Sequence, residues 1–101
     1  MPNAQAFQDY VRKNWNDTPD GGLRDLYIMS TGLGGETGEV LELLKKHVRN
    51  DRVINTELLL ELGDVLHYLT RIAQHFGMSL EQIMEANMMK LDARFDRKPR
   101  A

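Results

Sequence analysis

The sequence predicts an all-α fold, a bundle of four to five helices packed around a modest core. Three observations lead there. Apolar residues recur at three- and four-residue spacing in each long segment, no stretch alternates with a period of two, and helix start and stop signals fall at the joints between periodic segments. With 101 residues the chain makes one domain, residues 1–101, near the lower end of what buries a comfortable core alone, so association with further copies is expected.

Phe7, Tyr10, Val11 and Trp15 give the first helix its spacing, and NDTPDGG (residues 16 to 22) ends it with a proline and paired glycines. From Leu23 the helical spacing resumes through Leu26, Tyr27 and Leu33 and continues to Val40, Leu44 and Val48. Gly32, Gly34 and Gly35 interrupt it. Glycine weakens a helix interior by roughly 1 kcal/mol relative to alanine, so these positions imply a kink or the close approach of another helix. RNDRVIN (residues 49 to 55) reads as a loop, with Asn55 or Thr56 as the cap of a third helix reaching about Phe76. Gly77 closes that helix. Ser79 and Gln82 form a capping-box pair, flanked by Met78 and Ile83 at staple spacing, so a last helix begins there.

Four acids stand out on the two long segments, Glu36 and Glu39 in GLGGETGEVLELLKKH, then Glu61 and Asp64 in LLLELGDVLHYL. Acids three residues apart share a helix face. On a helical wheel Glu61 lies within the apolar arc formed by Leu58, Val65, Tyr68, Leu69 and Ile72, and Asp64 lies at its edge. Glu36 falls likewise between Val40 and Leu43, with Glu39 at the rim. A carboxylate facing a core must be paired, protonated or metal-bound, and two helices that each present an inner and a rim acid would repel without a cation. Hard oxygen donors of this kind suit Mg²⁺, with Mn²⁺ able to substitute. Glu42, Glu57, Glu81 and Glu85 fit ordinary solvated helix faces.

A net charge of −2 without a broad basic stripe argues against nucleic acid as the main partner, although Arg94, Arg97, Lys98 and Arg100 make the tail locally basic. The chain has no cysteine, which excludes disulfides and thiolate zinc sites and is compatible with the cytoplasm. No apolar run reaches membrane length and no signal-peptide pattern opens the chain, so a soluble protein, not a membrane one, is expected. His47, His67 and His75 lack a ligand spacing that would suit zinc.

Along the last helix Asn87, Lys90 and Arg94 form a polar stripe with Ile83, beside an apolar stripe of Met84, Met88, Leu91 and Phe95. If the helix packs through the apolar stripe, the polar one is aimed where it could hold phosphate oxygens. Lys45, with Lys46 and His47, offers further cations, though all three also complement a helix C-terminus. Trp15 and Tyr27, and with them Phe7 and Tyr10, could stack on a base, or simply pack in the core or an interface.

GLGGETGEVLELLKKH, ELGDVLHYL and EANMMKLDARF together closely resemble the MazG-like members of the all-α NTP pyrophosphohydrolase superfamily, over about residues 31 to 95, leaving 96–101 as the basic tail. The resemblance implies a Mg²⁺-dependent enzyme that hydrolyses a nucleoside or deoxynucleoside triphosphate between the α and β phosphorus atoms. It implies a homodimer or a homotetramer built as a dimer of dimers, with sites formed partly across the interface. Carried over by position, Glu36, Glu39, Glu61 and Asp64 are the expected metal ligands; among them Glu39, whose rim position is nearer incoming water, and Glu61 are the candidate catalytic residues. Asn87, Lys90 and Arg94 are the expected phosphate contacts, and Lys45 a further one. The chain has His67 where an aromatic residue is common and Leu60 where a basic one is common, and its first thirty residues match poorly. Alternatives are a dUTP- or dCTP-selective enzyme or phosphoribosyl-ATP pyrophosphatase of the same superfamily, and, from another class, a non-catalytic nucleotide-binding or helical adaptor dimer.

Overall fold

The computed structural model describes residues 1–15 and 22–95; the predicted NDTPDG break and the basic tail lie outside them. The described chain forms four helices: α1 (Ala4–Asn14), α2 (Leu23–Asn50), α3 (Asn55–His75) and α4 (Leu80–Arg94). There is no strand among the described residues. The all-α bundle expected from the spacing of apolar residues is therefore present, and no described helix is long and apolar enough to cross a membrane.

Helices α2 and α3 form the longest packed pair, joined by the short connection 51–54. Their antiparallel register can be read from two contacts, since Gly32 meets Tyr68 near one end while Glu36, further along α2, meets Glu61, earlier on α3. Gly32 is required by this packing. A Cβ there would lie 2.6 Å from Cζ of the Tyr68 ring. Gly34 and Gly35 meet nothing within 4 Å, and α2 runs through all three glycines without a break. Of the expected kink or close helix approach at this stretch, close approach is found at Gly32.

The α2–α3 connection is tighter than the polar sequence suggests. Asp51 takes the left-handed conformation (φ 57°), which a short polar side chain tolerates. His47 Nδ1 donates to the Arg52 carbonyl at 2.8 Å, and the Arg52 guanidinium pairs with Glu57. Neither Asn55 nor Thr56 caps α3. The capping position is Ile54, without a side-chain cap, because its apolar side chain is buried to 4% exposure and fixes where the chain enters the helix.

At the other joint the signals act as read. Gly77, at φ +71°, lets the Met78 amide bond to the Ala73 carbonyl and the Gly77 amide to that of Gln74, closing α3 in a Schellman turn. Ser79 Oγ then accepts from the Gln82 amide at 3.1 Å while Gln82 Oε1 accepts from the Ser79 amide at 2.9 Å.

Helix α1, capped by Asn3, lies across α3 and the start of α4. Its anchor is Gln8. Gln8 Nε2 donates to Glu81 Oε1 at 2.9 Å and to the Ala4 carbonyl, Gln8 Oε1 accepts from the Leu80 amide at 2.8 Å, and the Gln8 carbonyl accepts from Gln74 Nε2 at 2.8 Å. The core is small: among the described residues its buried apolar side chains are Val11, Met29, Leu43, Ile54, Ala73 and Leu80. The radius of gyration is 16.4 Å, against about 13 Å for a compact domain of ~100 residues. On the apolar stripe of α4, Leu91 is half-buried while Met84, Met88 and Phe95 stay about half exposed. A wheel shows that a helix is amphipathic, not what covers it.

Candidate metal centre

Glu36 and Glu39 sit one turn apart on α2, and Glu61 and Asp64 one turn apart on α3. The antiparallel register brings the pairs together. One carboxylate oxygen each from Glu36, Glu61 and Asp64 lie within 4.8 Å of one another. Glu36 and Glu61 are half-buried, and Asp64 and Glu39 are exposed, which is the division into inner and rim acids that the wheel suggests. Glu39 stands outside the three-oxygen cluster but close enough for its charge to act on Glu36.

The electrostatics of Glu36 reflect this crowding. Partial burial, a hydrogen bond with Glu61, and the charges of Asp64, Glu61 and Glu39 all push its carboxyl above the usual carboxylate range. Such a cluster is relieved by a proton or by a cation. Three hard oxygens converging from two helices, with a fourth one turn away, fit a divalent ion such as Mg²⁺ in number and chemistry.

Beside the acids a groove of 610 Å³ opens between α1 and α3. Glu36 and Asp64 line it together with Phe7, Tyr10 and Asn14 of α1 and His67 and Tyr68 of α3. Trp15 does not line the groove. It packs behind it, 5.8 Å from the His67 ring and 6.1 Å from that of Tyr68, with the Arg71 guanidinium 5.2 Å from its centroid. Tyr27 is 69% exposed and also absent from the groove. On α4, Asn87, Lys90 and Arg94 are exposed and line none of it. Lys45 is exposed and makes a 4.0 Å contact with Glu42. A single protomer thus gathers the acids but not the cations expected to face phosphate.

Asn14 and His67 escaped the reading of the sequence as site residues. The signal for the first was available, because Phe7, Tyr10 and Asn14 follow a helical stripe at i, i+3 and i+7. His67, three residues after Asp64, lies one turn beyond the acids on the same helix.

The described chain is thus an all-α protein with carboxylates clustered across an antiparallel helical hairpin, beside an open groove. The chain belongs to the MazG family: the model of the MazG nucleotide pyrophosphohydrolase domain matches residues 27–98, a stretch containing all four acids. It is also similar to the Gene 37 protein of Mycobacterium phage L5, at 36% identity over 80 residues, covering 74% of this chain and 70% of the phage protein. No solved structure gives a significant match.

Proposed function

We propose that the protein is a Mg²⁺-dependent pyrophosphohydrolase that cleaves nucleoside or deoxynucleoside triphosphates at the α–β anhydride, acting in the cytoplasm on free nucleotides. The observation that carries this reading is the convergence of Glu36, Glu61 and Asp64 beside the groove, within the stretch matched by the family. When bound, Mg²⁺, or Mn²⁺ in its place, would supply charge neutralisation for the phosphate oxygens and a water of lowered pKa. Glu36, Glu61 and Asp64, whose carboxylate oxygens converge within 4.8 Å of one another, would hold the ion.

Hydrolysis joins a water oxygen to the α-phosphorus and breaks its bond to the bridging oxygen, which leaves with pyrophosphate. Glu39, exposed one turn from Glu36, is positioned to orient that water and take its proton. The leaving charge needs cations. Because Asn87, Lys90 and Arg94 do not line the groove of their own protomer, we assign them, with Lys45, to phosphate contact in an assembled dimer or tetramer, where a second copy can present its α4. The extended protomer, with Leu59, Leu60, Leu62, Met88 and Met89 about half or more exposed, supports such assembly.

The test is release of pyrophosphate and monophosphate from the common ribo- and deoxyribonucleoside triphosphates, with Mg²⁺ or with EDTA. Stoichiometric release in Mg²⁺, abolished by EDTA, is the expected result; release of orthophosphate and diphosphate instead would refute the α–β assignment.

A further inference from the structure

A ligand whose phosphates reach Glu36 and Asp64 can lay the rest of itself along the groove that both acids line. The rest of the lining is chemically specific. Phe7 and Tyr10 contribute two aromatic faces, and Asn14 a carboxamide, along a stripe of α1 that spans roughly 10 Å at 1.5 Å per residue. Asn14 Nδ2 donates to the Tyr10 carbonyl at 2.9 Å, which orients the amide and leaves Oδ1 to accept from an incoming N–H. On α3, His67, which also lines the groove, is braced by Trp15 at 5.8 Å and by Tyr68 in an edge contact at 5.4 Å. Its ring nitrogens make no hydrogen bond to a described residue, so this braced ring can both donate and accept.

We propose that Phe7, Tyr10, Asn14 and His67 form the nucleobase subsite, in which the aromatic rings hold the plane of the base and Asn14 and His67 read its hydrogen-bonding edge. This rests on the pyrophosphohydrolase reading and adds to it the residues that set substrate choice. The subsite takes a base that offers an edge N–H to Asn14, and it disfavours the same base with that N–H methylated. Trp15 has the role of a positioning residue, holding His67 from behind.

Two measurements test the subsite. The chain has one tryptophan, Trp15, in contact with His67, so its fluorescence reports on ligands entering the groove. Nucleoside monophosphates titrated in EDTA should give a saturable change, and Asn14→Ala and His67→Phe should each weaken binding about 10- to 100-fold, the scale of one lost specific hydrogen bond. Asn14 is exposed and ends α1, and His67→Phe keeps a ring against Trp15, so both variants should retain wild-type helical ellipticity. In turnover, the ratio of kcat/KM between the preferred triphosphate and its edge-methylated analogue should collapse by a similar factor in Asn14→Ala. Unchanged base ranking and unchanged monophosphate binding in both variants would overturn the subsite while leaving the reaction standing. Asn14-dependent monophosphate binding by a protein that hydrolyses no triphosphate would sink the reaction and keep the subsite.

Discussion

A carboxyl group that is easier to protonate in the folded protein than in the unfolded chain weakens the fold as pH rises, and Glu36 is such a group. Its pKa is raised from 4.5, first by burial and then by the hydrogen bond and charges around it. Above 4.5 the native state holds the proton more tightly than the unfolded chain, so stability falls as pH climbs through the folded-state pKa. In EDTA, Glu36→Gln should therefore raise the thermal midpoint relative to wild type at pH 7.5, with the gap closing near pH 4.5. Added Mg²⁺ should reverse the order, raising the midpoint of the wild type but not that of the variant. Gly32 makes a second prediction at this scale. Alanine there gains roughly 1 kcal/mol of helix propensity but must displace the Tyr68 ring, and overpacking costs about 1–3 kcal/mol. Urea denaturation should show a net loss for Gly32→Ala, whereas Gly34→Ala, with open space around it, should gain up to about 1 kcal/mol in the isolated protomer.

Among the elements, α1 is held to the rest of the bundle largely through Gln8, whose side chain satisfies the first amide of α4 and meets Glu81. Gln8→Ala leaves the buried Leu80 amide without that partner, which should cost about 1–3 kcal/mol in equilibrium unfolding. Because α1 supplies one wall of the groove, ligand binding should weaken alongside. The sequence made the elements legible wherever local chemistry decides them, as in the Ser79–Gln82 capping box, the Gly77 turn and the acid pairs at i, i+3. It misled where tertiary burial overrides local preference, as at Ile54, which starts α3 in place of a polar cap. That Asn14 and His67 line one groove was not legible. Nothing local to either residue specifies that α1 crosses α3 beside the acids; that depends on Gln8, Gln74 and Leu80, far apart in the chain.

For the whole molecule, the wheel foretold that Glu36 and Glu61 point inward, yet could not say which surface would cover the apolar stripe of α4. Among the described residues that stripe is covered only in part, with Leu91 half-buried and Met84 and Met88 about half exposed. A protomer with a radius of gyration of 16.4 Å and half-exposed Met84, Met88 and Phe95 should associate, making its thermal midpoint rise with protein concentration. Met88→Glu should lower the sedimentation coefficient toward that of a monomer; an unchanged coefficient would place the interface elsewhere. The most direct measurement compares wild type and Glu61→Gln in Mg²⁺, identifying every product formed from the best triphosphate substrate. Equimolar monophosphate and pyrophosphate from the wild type, falling at least ~100-fold in a folded Glu61→Gln, is the predicted result. Undiminished turnover by Glu61→Gln would contradict the assignment of the carboxylate cluster as the catalytic centre.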